Sequence, residues 1–117
     1  MGDSRSCGYL TTDKSIDLSD DHKPELEKEK SIIVQNGGFV EDSRVNGILA
    51  ISRAIGDSSL NLYRKAEIKE FKKNDFLMIC TGSDGIWDYF DNKSIYKHII
   101  NNLKKNNLAN PMDSFYK

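Results

Sequence analysis

Three carboxylates set beside glycines mark where this chain could do chemistry. They are Asp3 in Gly2-Asp3-Ser4-Arg5, Asp57 in Ser52-Arg53-Ala54-Ile55-Gly56-Asp57 and Asp84 in Asp84-Gly85-Ile86-Trp87-Asp88. Glycine lets the backbone turn sharply, so an adjacent acid can be aimed inward. Gathered together, such acids would offer hard oxygen donors to Mg²⁺ or Mn²⁺. Aspartate beside glycine is also an ordinary turn former, and singly each motif reads that way. Arg5, Arg44 and Arg53 sit close to the acidic motifs and could grip a phosphate in bidentate fashion. Internal salt bridges with neighbouring acids are the preferred reading for them. Ser4 and Ser52 have no base within motif reach, which argues against nucleophilic roles.

The elements that would position these acids alternate between strand and helix patterns. Cys7 to Thr11 reads as a short strand closed by a turn at Asp13-Lys14. Pro24 opens a helix with Glu25 and Glu27 near its positive end and Gly37 as its stop. Leu26, Ile33 and Val34 form its apolar stripe, and the charge run Glu25 to Lys30 reads as a solvated face. Beyond Gly37-Gly38 the period shortens. Phe39-Val40, Arg44-Val45 and Ile48 to Ile51 read as strands, with Asn46-Gly47 as a tight hairpin turn between the last two. Ile68 to Phe71 and Phe76 to Thr81 read as a strand pair joined by the polar turn Lys72 to Asp75. A second helix starts at Asp91 or Asn92, burying Ile95, Ile99 and Leu103. Paired strands with helices at the flanks predict an α+β fold.

Composition narrows the class. The 117 residues suffice for one ordinary domain. With 17 basic against 18 acidic residues, the net charge of −1 gives no field that would attract nucleic acid. No apolar run approaches the roughly 20 residues that a membrane span needs. The N-terminus lacks a signal-peptide core, so a cytoplasmic or nuclear location is expected. Met1-Gly2-Asp3-Ser4-Arg5-Ser6 matches the permissive N-myristoylation pattern, a reading disfavoured against a simple turn. Cys7 and Cys80 lie in apolar runs and are expected to be buried reduced thiols.

The spellings G-D-S-R, D-H-K-P, G-G-F-V, R-V-N-G-x-L-A-x-S-R-A-x-G-D, F-L-x-I and D-G-x-W-D, in that order, resemble the metal-dependent Ser/Thr protein phosphatases of the type 2C (PPM) family. Arg44 to Asp57 is the longest match. The resemblance implies an antiparallel β-sandwich flanked by helices (αββα). It implies hydrolysis of phosphoserine and phosphothreonine in proteins by a water activated between two Mg²⁺ or Mn²⁺ ions. Carried over, Asp57 and Asp84 match ligands of one metal, and Asp3 matches the acid of an additional, weaker one. His22 belongs to a family signature but takes no catalytic role; packing and hydrogen bonding are expected of it. Trp87 is expected in the core.

The resemblance covers Gly2 to Leu103, about the middle of the family domain. Residues 2–105 are therefore read as a partial phosphatase domain and 106–117 as a tail that frays. The family's D-G-H-G-G motif, its upstream phosphate-gripping arginine and its C-terminal D-N-x-T segment have no counterpart here. Accordingly no catalytic residue is assigned, metal binding is expected to be weak, and exposed sheet edges are expected. The stretch from Asp57 to Glu67 reads as shortened by about two residues and Thr81-Gly82-Ser83 as correspondingly lengthened, a change that preserves strand facing. Ile32 stands where the family has arginine. A phosphoprotein substrate is expected, without nucleic-acid or membrane partners. The rival reading is a non-catalytic, phosphatase-like binding module, which need not keep all three acids.

Overall fold

One strand of alternating burial and one helical stop organise much of what the chain builds. A computed structural model describes residues 2–60 and 62–105. The chain forms two compact units, Met1–Arg5 with Ser19–Phe71, and Ser6–Leu18 with Lys72–Lys117. The expected fraying tail, 106–117, lies outside the described residues.

In the first unit, α1 spans Glu27–Gln35. Its end is a Schellman motif: Gly38 N–H donates to the Ile33 carbonyl at 2.9 Å and Gly37 N–H to the Val34 carbonyl at 3.0 Å. Gly37 carries the motif at φ +83°, a left-handed conformation that an L side chain adopts with strain. An added Cβ there would touch nothing, so Gly37→Ala isolates the backbone term. It is expected to cost about 1–2 kcal/mol, measured as a lower urea midpoint at unchanged slope.

The buried face of α1 is Glu29 and Ile33, one turn apart. Leu26 and Val34, expected in the stripe, are exposed. Glu29, expected on the solvated face, is 3% exposed. Both departures follow from the helix being rotated so that Glu29 can meet a buried arginine, described below.

Strands β3 (Val40–Glu41) and β4 (Arg44–Val45) pair antiparallel, with Val40 opposite Val45 and Glu41 opposite Arg44. Their turn is Asp42-Ser43, both at positive φ (49° and 59°), as a two-residue primed turn requires. The tight hairpin thus falls four residues before the expected one. Asn46-Gly47 also turns at positive φ, but it closes a looser loop ending in the single bridge Val45–Leu49. Ile48 to Ile51 and Ile68 to Phe71 are not strands. Ile33, Val45 and Leu62 form this unit's core, with Val40, Leu49, Ala54 and Leu60 against it.

The second unit holds a three-stranded sheet in the order β2-β1-β5: β1 is Arg5–Leu10, β2 Ser15–Asp17 and β5 Phe76–Gly82. Strands β1 and β2 pair antiparallel around Gly8–Ile16. Along β5, Phe76, Met78 and Cys80 are half-buried while Leu77 and Ile79 face solvent, the period-2 signal of a strand covered on one side. Leu77 is 62% exposed.

Helix α2 is one short turn, Asp84–Trp87, and α3 spans Asn92–Lys105. Asp91 caps α3, accepting from Ser94 N–H at 2.7 Å. Bonds from the Ser94 hydroxyl and amide hold its carboxyl below the usual aspartate range. Ile95 and Ile99 are buried against Cys7 and Tyr9, with Leu103, Met78, Cys80 and Trp87 packed around them. Trp87, expected in the core, is half-buried against it, and its Nε1–H donates to the Gly82 carbonyl at 2.7 Å. Both cysteines are reduced thiols, and burial pushes the Cys80 thiol up from its ordinary pKa. The α+β class is as the sequence predicts and antiparallel pairing as the resemblance implies, although the pairs read for Ile48 to Ile51 and Ile68 to Phe71 do not form.

Candidate functional site

Backbone hydrogen bonds draw two of the acidic motifs onto the D-H-K-P segment. His22 N–H donates to the Gly2 carbonyl at 2.8 Å, and Ser52 N–H donates to the His22 carbonyl at 2.9 Å. Gly2 is buried at φ +77°, where a Cβ would lie 3.7 Å from Ile51 and 3.8 Å from the Arg53 carbonyl. Half-buried Asp3 therefore follows a turn seated on the strip that leads to Asp57. The His22 side chain is buried; its Nε2 lies 3.3 Å from Glu67 Oε2, and Nδ1 meets no partner among the described residues. This agrees with the packing role read for it.

Asp57 itself is exposed and left-handed, at φ 44°, directly after Gly56 at φ 98°. Its carbonyl accepts from Leu60 N–H at 3.0 Å, which closes the loop into the 3-10 turn Ser58–Leu60. Asp84 belongs to the second unit. It opens α2, is exposed, and turns Oδ1 onto the following Gly85 N–H at 2.8 Å.

Four of the acids are spent on ion pairs with lysine or arginine, and most of the other described acids make none. Asp20, Asp21, Glu29 and Glu67 are each paired, with Lys69, Arg5, Arg53 and Lys28 respectively. Asp3, Asp57 and Asp84 make no ion pair among the described residues. Carboxylates left without a cation are the donor type that a hard divalent ion takes. Among the described residues, however, no group of three or more His, Cys, Asp or Glu side chains is gathered at metal-binding spacing.

The arginines follow the internal reading for two of three. Arg5 makes a fork to Asp21, with Nε to Oδ1 at 3.0 Å and Nη2 to Oδ2 at 2.7 Å. Arg53 makes one to Glu29 at 2.9 and 2.5 Å. Arg44 instead donates to the Ile48 carbonyl. Glu29 and Glu67 were hidden from sequence reasoning, because both sit in charge-rich stretches. The i, i+4 spacing of Glu29 to Ile33 was the available signal that Glu29 shares the buried face.

Burial raises the Glu29 carboxyl, but the bonds from Arg53 and Ser52 outweigh it and leave the group below its ordinary value. Glu67 is lowered by Lys28 and His22, and Asp20 by Lys69. A depressed carboxylate contributes stability above its unfolded pKa, about 4.3 for glutamate, and loses it as pH falls through the folded value. Thermal stability is therefore expected to be flat from neutral pH down to the unfolded carboxylate range. It should then fall steeply below it, and Glu29→Gln should flatten that acid limb.

These features define an α+β fold of phosphatase type. The structure is similar to that of a phosphatase from Toxoplasma gondii, with a TM-score of 0.71 and 25% identity over 96% of this chain and 39% of that one. The family model described as Protein phosphatase 2C matches residues 1–114, and the chain belongs to that family. Among curated relatives, "Probable protein phosphatase 2C 6" of Paramecium tetraurelia is 38% identical, over 88% of this chain and 39% of the relative. "Probable protein phosphatase 2C 69" of Arabidopsis thaliana is 43% identical, over 80% of this chain and 28% of its own length. The chain thus spans well under half the length of these relatives.

Proposed function

We propose that this region, residues 2–105, serves as part of a protein phosphatase domain that hydrolyses phosphoserine and phosphothreonine in proteins with Mg²⁺ or Mn²⁺. The observation that carries the reading is the retention of Asp3, Asp57 and Asp84, in family order, as carboxylates without cationic partners among the described residues. A divalent ion bound there would supply Lewis acidity and lower the pKa of a bound water. In this chain Asp57, Asp84 and Asp3 would each offer a carboxylate to a divalent ion. Gly56 and the left-handed Asp57 set the carboxylate at the tip of a turn, and Asp84 presents its own from the first position of α2. The substrate is a phosphoprotein, and the setting proposed is cytoplasmic or nuclear; no described helix is long and apolar enough to cross a membrane.

Calorimetry with Mn²⁺ tests the reading. A weak binding heat is expected from this chain, and both Asp57→Ala and Asp84→Ala should abolish it. A chain that ignores Mn²⁺ would instead favour the non-catalytic binding module. Turnover of a phosphothreonine peptide by the isolated chain is expected to be small.

A further inference from the structure

We infer that Glu29 and Arg53 are positioning residues for Asp57, forming a buried clamp that fixes both ends of the loop on which it rides. The inference rests on the reading of Asp57 as a metal ligand and adds residues to which that reading gives no part.

Arg53 lies four positions before Asp57, and its side chain is 5% exposed. Nε and Nη2 fork onto the two oxygens of Glu29, itself 4% exposed, and Ser52 Oγ donates to Glu29 Oε2 at 2.5 Å. The remaining arm reaches across the loop. Arg53 Nη1 donates to the Lys65 carbonyl at 3.2 Å, and the guanidinium carbon stands 5.1 Å from the Tyr63 ring centre. The backbones of Arg53 and Tyr63 also form a parallel bridge. One guanidinium therefore grips the chain before and after Asp57, while Glu29 on α1 fixes the guanidinium.

The loop needs such a hold. Asp57 is in the left-handed region, which costs an L residue on the order of 1–2 kcal/mol, and strained residues of this kind persist only where their surroundings over-determine them. Asp57 is exposed and contributes little packing of its own. A planar fork in a dry setting locks orientation in a way that a lysine cannot. Partners behind a metal ligand commonly govern affinity by 10–100-fold, although they touch no metal.

The test uses Arg53→Lys, which keeps the charge opposite Glu29 but loses the fork and the reach to Lys65. Ser52→Ala serves as a milder variant should the lysine fail to fold, and Asp57→Asn as the control. Two readouts are taken on folded protein: amide hydrogen exchange at Ser52 and Leu60, whose N–H groups donate to the His22 and Asp57 carbonyls, and Mn²⁺ affinity by calorimetry. Arg53→Lys is expected to speed exchange at those amides at least tenfold, with exchange in α3 unchanged, and to weaken Mn²⁺ roughly tenfold. Ser52→Ala should move both readouts in the same direction by less. Wild-type exchange in a folded Arg53→Lys protein would overturn the clamp, leaving the pair as scaffold only. Faster exchange with unchanged Mn²⁺ affinity, while Asp57→Asn weakens it, would overturn the positioning role. If Asp57→Asn leaves Mn²⁺ binding intact, the metal reading of Asp57 fails, and the exchange result alone decides the clamp.

Discussion

Replacing Arg53 by alanine is expected to destabilise the chain by about 3–5 kcal/mol, the cost of stranding a buried partner charge. The size follows from where Glu29 sits. Its carboxylate is almost wholly out of water and takes three hydrogen bonds, two from Arg53 and one from Ser52. Once the guanidinium is gone, Ser52 alone cannot offset the desolvation of an anion. The carboxyl would then take up a proton at higher pH than in the wild type, so the loss should shrink in mild acid. Arg5→Ala is the informative contrast: its partner Asp21 and Arg5 itself keep side-chain exposures of 17% and 29%. Water screens that pair, and the expected loss is below about 1 kcal/mol. Urea unfolding of both variants at neutral and mildly acidic pH checks the size and the sign. Equal losses would show that burial does not decide the outcome. Against a typical domain stability of about 5–15 kcal/mol, the Arg53 loss is a large fraction of the total.

The second large effect is expected at Ile95, where alanine should cost about 2–5 kcal/mol. Ile95 has no exposed surface and packs with Cys7, Tyr9 and Ile99 at the centre of the second unit. Strand β1 cannot close over the gap easily. Gly8 stands where a Cβ would come within 2.4 Å of the Phe76 ring, so strand and ring are already at closest approach. Tyr9 stacks on Tyr96 at 4.5 Å, and its hydroxyl donates to the Asn92 carbonyl, which further holds the strand to α3. Burial and the adjacent Cys7 thiol push the Tyr9 phenol far above its ordinary range. Ile99→Val, by contrast, should cost only about 0.5–1.5 kcal/mol. Thermal unfolding of the pair gives the comparison; a small loss at Ile95 would mean that this core collapses around vacancies.

Much of this was legible in local chemistry. The 3.6-residue spacing of Ile95, Ile99 and Leu103 with Asp91 ahead of it named α3, its cap and its buried face. The apolar run Phe76 to Thr81 named β5, and Gly37 named the end of α1. These signals are local because helix caps, left-handed glycines and strand pleats depend on a few neighbouring residues. Family order in the acidic motifs likewise rested on residue identity alone.

What the sequence left open was decided by contacts between segments far apart in the chain. Whether Asn46-Gly47 or Asp42-Ser43 closes the tight hairpin depends on which strands pair. Val40 and Val45 both pack with Ile33, which selects the earlier turn. Ile48 to Ile51 and Ile68 to Phe71 have strand-like composition, but β propensity is realised only where a partner strand takes up the hydrogen bonds. Glu29 shows the same limit most clearly. Within its charge run it resembles its neighbours, and only Arg53, 24 residues away, turns it into a buried anion. The sequence by itself determined the end of α1, the cap and buried face of α3, the strand β5 and the acids that belong to the family. Tertiary structure alone decided which acids are spent on internal ion pairs and which are left exposed, because desolvation and pairing are set by neighbours that sequence order does not place.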